Sequence, residues 1–589
     1  MGVFSHCPTV EALVASPRVL ILGAGINGAA LARELALNGA EVWIVDRADI
    51  CSGATAYSSR LIHGGLRYLE YGELALVRES LGERRRLRRL APQFVRPLEL
   101  FIPLASRWGG LGTSALRFLR LDSWRRQSRP SPRGLWLVRL GLWLYDRYAQ
   151  DRTLPTHRVH DARRLAVDGL DRAKYRWLCS YHDCQIPYPE RFVLALLEDA
   201  RRLARAAGVG FELLNYHEAR LAGTTVEIRA VGESEPCAPV CLLEPAAIVN
   251  ATGAWVDQTL KRLQVDSPRL IGGTKGSHFL TANRRLAAAL AGRGIYAEAA
   301  DGRPVFILPL AQNTLIGTTD EPYENSPEHA VASRRELEYL VEVVNDILPG
   351  VGLSAGDIDM HYSGVRPLPY CGDAEPAGIT RRHWLQRHAG TAVPLFSVIG
   401  GKLTTCRSLA EEAAATILAS CGERVSCNSR DRVLPGGERY PEDPTQESAE
   451  LDRLARRFGM DRPAVESVWA LCGTRTEAVL AELDELAAES LDGTNIPRSF
   501  ARWVIENEWP RTLSDLVERR LMLLYEPALS ERCLRQLAEL LAERGVLPPR
   551  GVDDEVRRTI ERLRDHYGKR VVPARRQSSH MEESGRDAI

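Results

Sequence analysis

The stretch Arg18 to Asp46, RVLILGAGINGAALARELALNGAEVWIVD, constrains the fold more than any other. Val19 to Leu22 is a short apolar run, as a buried parallel strand requires. Gly23-Ala24-Gly25-Ile26-Asn27-Gly28 follows as a GxGxxG. Ala29 to Leu37 has a helical pattern closing at Asn38-Gly39, and Val42 to Val45 is a second apolar run ending in Asp46. This is one βαβ unit. Gly23 permits the tight turn, Gly25 lets a pyrophosphate approach the main chain, and Gly28 lets helix and strand pack closely. The free N–H groups and positive end of the helix then face an anion. Asp46 stands where a carboxylate can accept the hydroxyls of an adenosine ribose. The motif predicts a dinucleotide site without choosing between FAD and NAD.

A chain of 589 residues exceeds one folding unit, and 45% hydrophobic with 26% charged residues is globular. A net charge of +1 gives no reason to expect nucleic acid. The 12 cysteines form no CxxC, and Cys237 and Cys241 have no matching His or Cys cluster. We expect no metal and reduced thiols in a cytosolic protein. Met1 to Pro17 lacks the basic start, apolar stretch and cleavage site of a signal peptide. No run approaches the roughly 20 apolar residues that span a bilayer. The chain is expected to be soluble or to lie on a membrane without crossing it.

Ile50 to Glu70, ICSGATAYSSRLIHGGLRYLE, is rich in Gly, Ser and Ala and reads as a loop beside a ligand. It crowds Ser58, Ser59, His63, Gly64, Gly65, Arg67 and Tyr68, with Arg67 offered to an anionic substrate. His63 reads as structural rather than catalytic. Glu73 to Leu90 is a helix, and Leu98 to Leu104 a strand. Ser106 to Tyr148 interleaves Trp108, Trp124, Trp136 and Trp143 with seven arginines from Arg117 to Arg139. That pattern fits a helix in the lipid headgroup layer, or equally a core helix pair with a basic loop. Pro189 to Ala207 is a helix, and Val226 to Val231 belongs to a small sheet. Ala246 to Trp255, AAIVNATGAW, is a strand breaking at Ala251-Thr252-Gly253 beside the cofactor. Lys275-Gly276-Ser277-His278, Arg366 in YSGVRPL and Lys402 in LFSVIGGKLTTCRSLA lie in glycine-framed turns, so with Arg67 they suggest an anion pocket. The Gly400-Gly401 turn is expected to open a second helix, with Lys402 and Thr404 in its first turn. Beyond LPGGE at Leu434 the pattern is helical: Glu447 to Arg457, Pro463 to Cys472, Thr474 to Ala488, Ile496 to Asn507, Leu513 to Tyr525, Glu531 to Arg544 and Asp553 to Tyr567.

These motifs carry a resemblance. GAGINGAALA, SSRLIHGGLRYLE, NATGAW, KGSH, GTTD, SGVRPL and GGKLTT, in this order, resemble the FAD-dependent, aerobic, quinone-linked glycerol-3-phosphate dehydrogenases. RTLSDLVERRLMLL resembles the helical C-terminal domain of that family. Glu34, Asn38 and Cys406 stand where the family often has Asp, Arg and Tyr, and Ser106 to Arg133 is longer than usual. The resemblance implies an α/β fold. A Rossmann-like FAD-binding domain (17–100, 186–270, 381–425) would interleave with an α+β substrate domain, made of a membrane-facing insertion at 101–185 and a substrate-binding part at 271–380. An all-helical C-terminal domain would occupy 426–567, with an extension at 1–16 and a disordered tail at 568–589.

The resemblance also implies roles. Gly23, Gly25, Asn27, Gly28 and Asp46 would hold the ADP half of FAD. Ser58, Ser59, Gly65, Ala251, Thr252, Gly253, Gly401, Lys402, Leu403 and Thr404 would line the rest. Arg67, Tyr68, Arg366 and Lys402 would hold the substrate, with Arg67, Arg366 and Lys402 gripping its phosphate or hydroxyls, since arginine can grip phosphate bidentately. His278 would take the proton of the C2 hydroxyl while hydride passes to flavin N5, giving dihydroxyacetone phosphate. The expected partners are glycerol 3-phosphate, a quinone and the inner face of the cell membrane, with a homodimer allowed and no nucleic acid. The rivals are an oxygen-using glycerol-3-phosphate oxidase, a flavin amine or hydroxyacid oxidase, and a non-catalytic flavin-bearing membrane-docking protein.

Overall fold

The computed structural model describes residues 16–69, 72–109, 133–164, 167–232, 240–371, 382–483 and 489–573. The chain divides into two compact units. One comprises Met1–Phe279, Asn283–Asp357 and Tyr362–Tyr440; the other comprises Leu280–Ala282, Ile358–His361 and Pro441–Ile589.

The first unit is built on a six-stranded sheet in the order Trp384–His388, Leu395–Ile399, Ala247–Asn250, Arg18–Leu22, Glu41–Asp46, Phe211–Asn215. All neighbours are parallel except the pair at the Trp384–His388 edge. Val19, Leu20 and Ile21 are wholly buried, as a strand covered on both faces must be. Helix Ile26–Leu37 is tied to helix Pro189–Ala207 by a buried Arg33–Asp199 ion pair of 2.8 Å. Strand order reverses between Arg18–Leu22 and Ala247–Asn250, and the crevice at such a reversal is where open α/β sheets bind ligands.

A second, ten-stranded sheet is mixed. It takes Thr274–Thr281, Gly294–Glu298, Pro304–Leu310, Asn313–Gly317 and Met360–Arg366 from the middle of the chain. It also takes Leu61–Ile62, Arg96–Leu104 and Trp177–Gln185 from earlier. A three-stranded sheet of His217–Ala222, Thr225–Ala230 and Cys241–Leu243 completes the unit. A Rossmann-like layer interleaved with an α+β layer is therefore the observed fold.

Two local differences from the sequence reading stand out in this unit. Leu61–Ile62 and Arg96–Leu104 pair with Trp177–Gln185, so the part of the chain read as 17–100 already contributes to the second sheet. Residues 427–440 belong to the first unit: Asn38 donates to the Cys427 carbonyl, and Arg432 pairs with Asp199 at 3.0 Å. Helix Leu135–Ala149 is apolar on two faces. Leu135, Val138, Leu142 and Tyr145 are buried, whereas Trp136, Leu140 and Trp143 are exposed. Most of the aromatic and arginine-rich insertion, residues 110–132, lies outside the described residues.

The second unit is helical: Pro444–Phe458, Arg462–Cys472, Thr476–Ala481, Arg498–Asn507, Glu531–Glu543 and Val552–Tyr567. Leu513 to Tyr525 is not the single helix its pattern suggests. One turn, Leu513–Asp515, is followed by a π turn at Leu516–Arg520, then Met522 adopts a left-handed φ of 56°. Buried charges explain the break. Arg520 donates to the Glu508 carbonyl, while Glu518 accepts from Arg519, Arg562 and Tyr567. The stretch read as a disordered tail starts ordered: buried Lys569 donates to the Glu526 carbonyl, and Val572 pairs with Ser530. Residues 574–589 lie outside the described residues.

Candidate active site

A cleft of about 800 Å³ runs through the first unit. At one end is the glycine turn. Gly23 turns with φ 105° and donates to the Val45 carbonyl at 2.8 Å. A side chain at Gly28 would collide with the Gly23 carbonyl, so Gly28 is a packing position and does not line the cleft. The helix that follows has no side-chain cap and no acidic residue in its first turn, leaving its positive end for an anion. Asp46 stitches the turn: one carboxylate oxygen accepts from Ala24 N at 2.7 Å, the other from Ala48 N at 2.9 Å.

The loop through His63-Gly64-Gly65 is held from behind. The buried Tyr145 hydroxyl donates to Asp183 at 2.6 Å and accepts from Gly64 N at 2.8 Å. Arg84 closes the cluster on Asp183 at 2.7 Å. Arg67 and Tyr68, just beyond, line the cleft, and the Lys402 ammonium lies 4.0 Å from the Tyr68 ring centre. His63 lines the cleft half-buried, and desolvation pushes its pKa down to about 4, with Lys402 and Arg84 adding to the fall against Asp183. At neutral pH it is an uncharged ring.

His278 and Arg366 also line the cleft. The His278 ring stacks on Tyr362 with centroids 5.0 Å apart, and its Nε2 lies 2.9 Å from the Ser59 hydroxyl. Its Nδ1 is buried without a partner among the described residues. Burial first, then Arg366 and Arg60, hold its pKa well below 6.5, so the ring is neutral. Arg366 is clamped. Nη1 donates to Asp320 at 2.9 Å, and Nη2 to the Thr318 hydroxyl at 3.0 Å and the Thr319 carbonyl at 3.2 Å. With both terminal nitrogens so engaged, Arg366 does not present the open fork that bidentate phosphate binding needs.

Gly23, Gly25, Asn27, Asp46, Ser58, Ser59, Gly65, Arg67, Tyr68, Ala251, Thr252, Gly253, His278, Arg366, Gly401, Lys402, Leu403 and Thr404 all line this cleft. Lys275 does not. It pairs with Glu336 at 2.8 Å, because strand residues alternate faces: Gly276 and His278 look into the cleft, Lys275 and Ser277 away from it. Lys402 and Thr404 also lie before the second helix, not in its first turn. Gly400 and Gly401 are left-handed, Thr405 N closes a turn on the Lys402 carbonyl at 3.2 Å, and the helix is Cys406–Ser420. Cys406 is buried, which pushes its thiol up to about 12; it is inert packing. The motif reading gave no role to Asp320, Thr318, Tyr296, Phe306 or Arg303, which also line the cleft. GTTD was the only visible signal for the first two.

The residues fit a flavin dinucleotide. The uncapped helix start suits a pyrophosphate. Asn27 lines the cleft with a buried side-chain oxygen that has no partner among the described residues. At Gly401 a side chain would meet the Asn27 amide at 2.7 Å, so only glycine leaves that cradle open.

Comparison with known proteins agrees. Residues 18–407 match the family model described as FAD dependent oxidoreductase, and residues 427–545 match the C-terminal domain of alpha-glycerophosphate oxidase. The chain is 33% identical to glycerol-3-phosphate dehydrogenase of Synechocystis sp., across 85% of this chain and 88% of that one. It is 30% identical to the aerobic glycerol-3-phosphate dehydrogenase of Escherichia coli, across 85% and 93% of the two chains. It is also 30% identical, over the same shares, to D-erythritol 1-phosphate dehydrogenase of Brucella abortus. Its fold is similar to that of the glycerol-3-phosphate dehydrogenase from Bacillus halodurans complexed with FAD. There the TM-score is 0.67 and the identity 19%, covering 94% of this chain and 95% of that one.

Proposed function

Because the chain belongs to the FAD-dependent glycerol-3-phosphate dehydrogenase family, we propose that it oxidises sn-glycerol 3-phosphate to dihydroxyacetone phosphate and passes the electrons to a quinone. One observation carries the reading. A neutral histidine and a clamped arginine share one cleft with a glycine-turn nucleotide site.

Gly23, Gly25, Asn27 and Asp46 hold the dinucleotide end of FAD, and Gly401 to Thr404 border its other end. Bound FAD supplies the hydride acceptor. Arg67, Lys402 and Arg366 supply positive charge to the substrate phosphate. His278, uncharged at neutral pH, accepts the proton of the C2 hydroxyl. The phosphate dianion offsets the Arg366 and Arg60 charges that disfavour the protonated ring, so substrate binding raises the basicity of His278. The packed walls around Tyr296, Phe306 and Tyr362 exclude water from the ring.

The exposed stripe Trp136, Leu140, Trp143, with the Arg139 guanidinium 5.5 Å from the Trp136 ring centre, supports docking on an anionic membrane surface. Among the described residues no helix is long and apolar enough to cross a membrane. The deciding experiment is anaerobic mixing of the yellow protein with glycerol 3-phosphate. The flavin absorbance should bleach and return with a quinone analogue. Recovery with oxygen alone, with peroxide formed, would make the protein an oxidase. No bleaching by any polyol phosphate would leave it without this activity.

A further inference from the structure

His278 is the proton acceptor of the proposed reaction, yet the residue is only 2% exposed. Nδ1 is buried and has no partner among the described residues. Nε2 has one, the Ser59 hydroxyl at 2.9 Å, and that hydroxyl has no other among the described residues. Ser59 is the more open of the two, half-buried and lining the same cleft. The pair is held in place. The His278 ring stacks on Tyr362, and the Tyr362 hydroxyl donates to the Ser58 carbonyl at 2.9 Å, so one side chain fixes both the ring and the loop that carries Ser59. A side chain at Gly364 would meet Tyr57 Cβ at 2.8 Å, so glycine lets strand Met360–Arg366 lie against that loop. Next to Ser59, wholly buried Arg60 pairs with Glu190 at 2.7 Å. A side chain at Gly317 would collide with the His278 ring, so glycine also leaves the ring its seat.

We propose that Ser59 is a catalytic residue whose hydroxyl takes the proton of the substrate C2 hydroxyl and hands its own to His278 Nε2. The inference rests on reading His278 as the base. A general base acts through one intervening O–H group as it does through one water, and Nδ1, sealed from the cleft, offers no other route. The step balances. The substrate O–H bond breaks and a new O–H bond forms at Ser59 Oγ. The old Oγ–H bond breaks and an N–H bond forms at Nε2. The electron pair left on the substrate oxygen closes the carbonyl as the C2 hydride leaves for the oxidised cofactor. Ser59 ends with one proton, as it began, and the ring ends as imidazolium. The path sets the resting tautomer: the ring carries its proton on Nδ1, because an Nε2–H would donate to Ser59 and accept nothing.

The test follows anaerobic bleaching of the FAD-loaded protein by glycerol 3-phosphate in a stopped-flow instrument. Ser59→Ala should bleach about a hundredfold more slowly at saturating substrate. Its FAD content should be unchanged, and calorimetric binding of dihydroxyacetone phosphate should stay within about threefold of wild type. Ser59→Thr, which keeps the hydroxyl, should recover most of the rate. Tyr362→Phe keeps the stack but frees the loop, so it should slow bleaching roughly tenfold, and it carries the test if Ser59→Ala does not fold. In mixtures of light and heavy water the wild-type rate should fall along a bowed curve, because two protons move together, and the Ser59→Ala rate along a straight line. Ser59→Ala combined with His278→Ala should be no slower than the slower single variant, since the two groups act in series. Multiplied losses in the double variant, or Ser59→Ala bleaching at the wild-type rate, would overturn the relay alone. Loss of FAD from Ser59→Ala in proportion to its activity would assign the hydroxyl to holding the cofactor and overturn the relay equally. A wild-type protein that never bleaches removes the activity itself.

Discussion

Tyr145→Phe removes one oxygen and tests whether the loop bearing Arg67 and Tyr68 is positioned from behind. The Tyr145 hydroxyl is buried, and burial first, then the Asp183 charge, raises its pKa well above 10, so it is a neutral donor. It donates to Asp183 at 2.6 Å and accepts from Gly64 N at 2.8 Å. A hydrogen bond to a buried charge contributes about 1.5–3 kcal/mol, and an amide left without a partner costs about 1 kcal/mol or more. Asp183 lies 3.4 Å from Gly64 N, too far to replace the phenol fully, although its pair with Arg84 survives. The expected loss is about 3 kcal/mol from the unit that holds the cleft. In urea, release of FAD, followed by its fluorescence, should begin at lower concentration. KM for glycerol 3-phosphate should rise severalfold as Arg67 loses its fixed place. A release midpoint and KM equal to wild type would refute the reasoning, because the cluster would then be packing with no hold on the loop.

Replacing His278 by Ala should lower kcat by about a hundredfold or more with FAD content unchanged; steady-state turnover near wild type would remove it as the proton acceptor. His63 has a folded pKa of about 4 against 6.5 unfolded. The unfolded chain therefore binds the extra proton first, and stability is full above about pH 6.5 and falls as pH drops to about 4, by about 3 kcal/mol. Thermal melts of His63→Gln should show a shallower acid decline than wild type, and parallel curves would contradict the assignment. Trp136→Ser combined with Trp143→Ser should reduce co-sedimentation with anionic vesicles roughly tenfold or more while leaving the melting temperature within a few degrees; equal sedimentation would place membrane contact elsewhere.

Local pattern settled much of this protein. The apolar runs at Val19 to Leu22 and Val42 to Val45, the glycines between them and the breaks at Asn250 and Ile399 are properties of neighbouring residues, so the parallel sheet and its crevice could be read directly. The same holds for helix Pro189–Ala207, whose limits match those read from the pattern. What tertiary structure alone decided is which side chains oppose one another. Lys275 and His278 share one motif, but the twofold alternation of a strand sends the lysine to Glu336 and the histidine to the cleft. The hydrogen bond between Ser59 and His278 spans 219 positions of chain, and that from Arg366 to Asp320 spans 46. No local periodicity encodes such pairings. They arise when two sheets close on each other, and burial then penalises every polar group that lacks a partner, which is why the partners of Asp320, Tyr145 and Asp183 are set only by the fold.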